Sequence, residues 1–296
     1  MRELRGRTAF VTGGDSGIGL GIARALVGEG VRVALCGLTE SSVQTAVDEL
    51  SARTGGQVEV EGYVLDVRDR DALEAVAEQL DESYGGIDIL VNNAGVGFLT
   101  PTVEAGFEQW DWVLGINLTG VFNGVRTFVP RMLASGRDGH VVSTASIGGL
   151  LGTPGGLYVA AKFGVVGLME ALRTELHGTG IGVSVLAPGI VRTNIAHGPR
   201  PPGVEASESP GGASLDELYQ APLEPDDVGR AVVAGILNDD LYILTHGEHR
   251  PFLAERFEAI LASLPPEPAD ERRSAVERTV LANPVYSEAV ARREAR

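Results

Sequence analysis

The sequence predicts an α/β protein, a doubly wound parallel sheet of about seven strands with helices on both faces. Three observations carry that prediction. Short β-rich apolar runs alternate with helical patterns along most of the 296 residues. The strand candidates are near-continuous apolar runs, as strands covered on both faces require. A glycine-rich segment stands where the first strand turns into the first helix.

The elements follow in order. TAFVTGG (8–14) reads as a strand and IGLGIARALVGEG as its helix. VRVALCG (31–37) is the second strand, followed by a helix through ESSVQTAVDELSART. VEVEGYVLDV (58–67) is the third, followed by RDALEAVAEQLDESYG. IDILVNNAG (87–95) leads to a helix running from about Phe107 through LTGVFNGVRTFVPRMLAS. GHVVSTAS (139–146) precedes a long helix from about Tyr158 to His177. IGVSVLAPG (181–189) and the short LYILT (241–245) complete the strands. Residues 1–250 are therefore expected to form one Rossmann-like domain, and 251–296 a helical extension of it. The Pro-, Gly- and Ser-rich segment at about 196–220 is expected to be a loop over the substrate, because the alternation resumes after it.

Bulk composition excludes several classes. The net charge of −16 argues against nucleic acid or an anionic membrane as partner. No apolar run reaches the roughly 20 residues that span a bilayer, and MRELRGRTAFVTGG does not read as a signal peptide. Cys36 is the only cysteine, so no internal disulfide is possible, and it reads as a small buried apolar residue. A reducing cytoplasm is the expected compartment. His197, His246 and His249 lack companions of metal-ligand spacing, so no metal is expected.

The glycines carry the first chemistry. In TGGDSGIG (Thr12–Gly19), Gly13, Gly17 and Gly19 let backbone approach a dinucleotide pyrophosphate, with Asp15, Ser16 and Ile18 between them. Ligands of such Rossmann-like sheets bind at the carboxyl ends of the strands. After the second strand, an acid meets the ribose 2′-hydroxyl of NAD, whereas Arg accommodates the 2′-phosphate of NADP. Here Gly37 and Leu38 occupy those places, and Thr39, Ser41 and Ser42 follow with hydroxyls. The cofactor is therefore NADP(H) or NAD(H). The corner leans to NADP(H), while Asp15 and the missing base at Ser16 point the other way.

The single lysine carries the second. Lys162 is the only Lys in the chain, four residues after Tyr158. A free phenol has a pKa of about 10 and is a poor proton donor or acceptor near neutrality; a nearby ammonium lowers it. Positions i and i+4 share one helix face. Ser146, at the end of the preceding strand, is placed to hold a carbonyl oxygen while Tyr158 exchanges a proton with it.

These residues resemble the short-chain dehydrogenase/reductase family, in its main cytosolic type with Tyr-x-x-x-Lys, from about Thr8 to Thr245. TGGDSGIG is similar to its cofactor loop. LDV supplies Asp66 and Val67, which the resemblance places at the adenine. NNAG (Asn92–Gly95) is similar to its central motif, putting Asn93, Ala94 and Gly95 beside the cofactor. The resemblance implies Asn117, Ser146, Tyr158 and Lys162 as the catalytic set, with Lys162 also holding the nicotinamide ribose. PGIVRT implies that Pro188, Gly189, Val191 and Thr193 embrace the nicotinamide. Asn117 would link Lys162 to solvent through a water. The implied reaction moves hydride between the nicotinamide and a secondary alcohol or ketone, on an apolar small molecule. A homodimer or homotetramer is implied as well.

Phe98 and Leu99 follow NNAG and are candidates for the substrate wall. Trp110 and Trp112 read as packing residues. Two other readings stay open: epimerase or dehydratase-like chemistry on the same fold, and a non-catalytic dinucleotide sensor.

Overall fold

The computed structural model describes residues 1, 3–97, 100–195, 198–201, 220–265 and 270–296. β1 (Thr8–Thr12) leads into α1 (Gly17–Gly28), β2 (Arg32–Gly37) into α2 (Glu40–Arg53), and β3 (Val60–Val64) into α3 (Arg70–Tyr84). β4 (Ile89–Asn92) is followed by α4 (Phe107–Leu114), a π-helical turn (Gly115–Thr119) and α5 (Gly120–Ser135). β5 (Gly139–Thr144), a 3-10 turn (Ile147–Gly149) and α6 (Gly156–Glu175) come next. β6 (Ile181–Ala187), α7 (Pro225–Asn238) and β7 (Tyr242–Leu244) close the sheet. The strands run parallel in the order β3-β2-β1-β4-β5-β6-β7. The doubly wound fold is therefore as the sequence predicts. The chain order reverses between β1 and β4, where such sheets open a ligand crevice at their carboxyl ends.

Both faces of the sheet are buried, and successive residues serve opposite layers. Phe10, Leu90, Phe128 and Met169 pack on one side, with α3, α5 and α6. Val11, Ile22, Leu35, Val91, Val232 and Ile236 pack on the other, with α1, α2 and α7. Every residue of β1, β5 and β6 is buried, the polar His140, Ser143 and Ser184 among them.

The structure trims and divides the expected elements. The third strand shrinks from 58–67 to Val60–Val64, because it is an edge strand paired only with β2. Asp66 then falls in a turn, its carbonyl accepting from Asp69 N. The single helix expected from Phe107 is divided into α4 and α5 by the π-helical turn, with helical backbone continuing through it. The long helix expected over 158–177 begins at Gly156 and ends at Glu175. α7 is an element the sequence reading did not single out. It lies on α1 at backbone contact: a Cβ on Gly21 would stand 2.2 Å from Pro225 O, and one on Gly229 2.1 Å from Gly21 O.

Met1–Thr245 forms one compact unit and His246–Arg296 a second. The second holds α8 (Arg250–Ala262), α9 (Glu271–Val280) and α10 (Pro284–Glu294). Asp270 caps α9 by accepting from Arg272 N and Arg273 N, and Asn283 caps α10 by accepting from Val285 N.

Candidate active site

The glycine loop is shaped by its neighbours. Gly13 (φ +59°) and Gly17 (φ +51°) take left-handed backbone that favours glycine. A Cβ on Gly13 would lie 2.9 Å from Ala94 Cα, and one on Gly19 2.0 Å from Gly13 O. Ser16 precedes α1 with no side-chain cap, and no acid stands in the first turn. The first N–H groups of α1 are thus left for a ligand, and the helix end favours an anion. A cradle without side chains beneath an uncapped helix N-terminus fits a dinucleotide pyrophosphate.

Thr12, absent from the predicted set, ties this loop to NNAG. Its Oγ1 accepts from Asn93 N at 2.9 Å and Ala94 N at 3.0 Å. Asn93 Nδ2 donates to Thr12 O and Gly13 O, and Thr144 Oγ1 donates to Asn93 Oδ1. The signal was a hydroxyl at the last position of an apolar strand, where it faces the next strand's exit.

The corner after β2 has no charged side chain of its own from Gly37 to Thr39. Leu38 is 56 % exposed. Gly37 has the Asp15 carboxylate against it, since a Cβ there would lie 2.4 Å from Asp15 Cγ. Two of the hydroxyls expected to meet a phosphate also bond locally at the start of α2. Thr39 Oγ1 accepts from Ser42 N, and the Thr39 and Ser42 hydroxyls share a hydrogen bond of 2.7 Å. Asp66 is held by Arg68, whose Nε and Nη2 donate to its carboxylate and hold it below its ordinary range.

Ser146, Tyr158 and Lys162 converge at the carboxyl end of β5. Ser146 opens the 3-10 turn and its Oγ accepts from Gly148 N at 3.1 Å. Lys162, 3 % exposed, donates from Nζ to Thr144 O at 2.8 Å. Its Nζ stands 5.6 Å from the Tyr158 ring centroid. Burial pushes the ammonium down to about 8. Burial also pushes the Tyr158 phenol up, and a hydrogen bond with the Ser146 side chain opposes that rise. In this structure, then, desolvation outweighs the lowering that the Tyr–Lys spacing suggested.

Asn117 is fully buried in the π-helical turn. Its Oδ1 accepts from Val96 N at 2.8 Å and its Nδ2 donates to Val96 O at 2.9 Å. Each end of the amide is thus engaged once with Val96, and each keeps one further hydrogen-bonding position. Gly95 joins the two groups: a Cβ there would lie 3.0 Å from Asn117 Oδ1 and 3.6 Å from Lys162 Nζ.

The Pro188–Thr193 segment closes the same region. Pro188 O accepts from Ile147 N at 2.9 Å, beside Ser146. The Thr193 methyl stands against Gly17, and Val191 is buried beside Leu223. Phe98 and Leu99, His197 and most of the loop at 196–220 lie outside the described residues.

A family profile described as short chain dehydrogenase matches residues 7–201. The chain is 38 % identical over 280 residues to a C alpha-dehydrogenase of Sphingobium sp., covering 91 % of this chain and 90 % of that one. A short chain dehydrogenase/reductase from Burkholderia phymatum in complex with NAD is 34 % identical, with a TM-score of 0.81 over 91 % of this chain and 100 % of the other. An alcohol dehydrogenase from Thermococcus sibiricus, complexed with 5-hydroxy-NADP, is 27 % identical with a TM-score of 0.67 over 80 % and 95 %. With this fold, and with the glycine cradle and the Ser–Tyr–Lys cluster both at the carboxyl end of the sheet, the chain belongs to the short-chain dehydrogenase/reductase family, whose members bind NAD or NADP.

Proposed function

We propose that the protein is an NAD(P)-dependent dehydrogenase or ketoreductase acting on an apolar secondary alcohol or its ketone. One observation carries the reading: the Tyr158 phenol, the Ser146 hydroxyl and the buried Lys162 ammonium stand together beside the glycine cradle. The hydride chemistry belongs to the nicotinamide when it is bound. Ser146 orients the substrate oxygen, and Tyr158 gives it a proton or takes one. Lys162 holds positive charge behind the phenol and so favours its anion once a substrate oxygen is engaged. Asn117 acts on the loop: by clamping Val96 it fixes Gly95 against Lys162. The name of the Sphingobium relative, a dehydrogenase, agrees with this direction of chemistry.

The test is an absorbance assay of nicotinamide reduction, with aliphatic, aromatic and polyhydroxy secondary alcohols, on the wild type and Tyr158→Phe. The expected result is turnover of at least one class. In the variant it falls roughly 100-fold or more, the scale of a lost general acid–base, with dinucleotide binding retained. Wild-type turnover in Tyr158→Phe would remove Tyr158 from the mechanism. Product formation without net nicotinamide reduction would favour epimerase chemistry instead.

A further inference from the structure

We infer that Asp15 sets the choice between the two dinucleotides, and sets it toward NAD(H). The inference rests on the reading of the glycine cradle as a dinucleotide site. In related sheets the discriminating side chain follows the second strand, an acid for a ribose 2′-hydroxyl or a base for a 2′-phosphate. In this chain Leu38 stands there and can do neither. The missing side chain at Gly37 has a different consequence. The space it leaves is filled from the glycine loop: a Cβ on Gly37 would lie 2.4 Å from Asp15 Cγ, 2.5 Å from Oδ2 and 2.8 Å from Oδ1. A carboxylate therefore does stand at the end of β2, delivered by a residue 22 positions earlier in the chain.

Asp15 forms no hydrogen bond or ion pair among the described residues. It is a half-buried acceptor with its lone pairs unused at the ligand-facing edge of the sheet. The surroundings offer a phosphate little in return. Thr39 caps α2 by accepting from Ser42 N, and the two hydroxyls bond to each other. Glu40 adds a second acid in the first turn of that helix. The Arg68 guanidinium is already paired with Asp66. A ribose hydroxyl donates to a free carboxylate, whereas a phosphate meets it with like charge and desolvates it. Gly37 and Asp15 act as a unit, because any side chain at 37 would displace the carboxylate.

The test is calorimetric titration of the purified protein with NADH and, separately, NADPH, on wild type, Asp15→Asn and Gly37→Ala. The wild type is expected to bind NADH at least about tenfold more tightly than NADPH, the scale of one unscreened like-charge contact at a partly exposed site. Asp15→Asn keeps the side-chain shape and removes the charge. It is expected to close most of that gap, chiefly by tightening NADPH. Gly37→Ala is expected to narrow the gap by moving the carboxylate. Far-ultraviolet circular dichroism and the melting temperature report whether each variant folds. Equal or tighter NADPH binding by the wild type would overturn the assignment. So would an unchanged NADH-to-NADPH ratio in folded Asp15→Asn, the result expected if the acid is only a solvated loop residue. Both of those outcomes leave the dinucleotide reading intact. Binding of neither dinucleotide would overturn that reading, and the role of Asp15 with it.

Discussion

Lys162 and Thr144 are joined by a hydrogen bond of 2.8 Å from the ammonium to the carbonyl at the end of β5. The bond explains how the only lysine of the chain comes to be buried. An ammonium taken from water needs acceptors, and a carbonyl left free at a strand's end supplies one. The same bond fixes where the charge stands relative to Tyr158.

Replacing Lys162 by Arg should therefore not be conservative. A planar guanidinium is wider than an ammonium and does not lose its proton, whereas Lys162 titrates at about 8. Turnover of Lys162→Arg should fall by about two orders of magnitude or more. Dinucleotide affinity should fall as well, since Lys162 adjoins Gly95 in the cradle. In the wild type, turnover that depends on the ammonium should decline as pH rises through about 8. A rate profile flat to the alkaline side would show that the reaction does not use that charge.

Thr12 offers a sharper test of the cradle. Its hydroxyl oxygen accepts from two successive N–H groups, of Asn93 and Ala94. Thr12→Val keeps the shape and removes the acceptor. The expected cost is about 1–3 kcal/mol, the scale of a donor left without a partner, read as a lower urea midpoint with an unchanged slope. Thr12→Ser should recover most of it. Dinucleotide affinity should follow the same order, because the loop that Thr12 holds carries Gly95.

The parts of this molecule that could be read in sequence are those written locally. The alternation of buried strands and helices survives because each strand of a parallel sheet must be apolar on both faces. Gly13, Gly17 and Gly19 were legible because a strand-to-helix turn needs them in one short segment. Tyr158 and Lys162 were legible because a helix face brings i and i+4 together. What was not legible depends on contacts between distant segments. The π-helical turn at Asn117 goes with a bond to Val96, 21 positions away. Asp15 and Gly37 meet only once β1 and β2 are paired. α7 carries an ordinary helical pattern, and its importance lies in touching α1 through two glycines. The hydroxyls at Thr39 and Ser42 suggested a phosphate site, but a Thr before a helix also suits a cap, and Thr39 caps α2 with Ser42 N as its donor.

The α1–α7 contact yields the next prediction. Gly229 lies within α7, where Ala is favoured over Gly by up to about 1 kcal/mol of helix propensity. Against that, its Cβ would stand 2.1 Å from Gly21 O and 2.6 Å from Gly21 C, both backbone atoms. Backbone cannot rotate away, so the clash should outweigh the propensity. Gly229→Ala should lower stability by about 1–3 kcal/mol, the usual cost of overpacking. It should also weaken dinucleotide binding, because α1 begins at the cradle. A variant as stable as the wild type would mean that the two helices separate without cost.

The last prediction concerns pH and a site far from the chemistry. His140 is fully buried on β5. Its Nε2 shares a 2.8 Å hydrogen bond with Ser184 Oγ, while Nδ1 has no partner among the described residues. Burial is the largest influence and pushes the imidazole down to about 3; Asp239 and Asp240 oppose it, while Arg173 and the chain's amino terminus reinforce it. An unfolded histidine titrates near 6.5. Between those two values the unfolded chain binds the proton and the folded one does not, so stability must fall as pH drops below about 6.5. The loss should reach about 2 kcal/mol at pH 5 relative to pH 7, a range above the ordinary carboxylate pKa values. Urea unfolding at a series of pH values measures it. His140→Asn removes the titrating group, so its stability should change much less over the same range. A pH dependence unaltered by that substitution would assign the acid sensitivity to other groups.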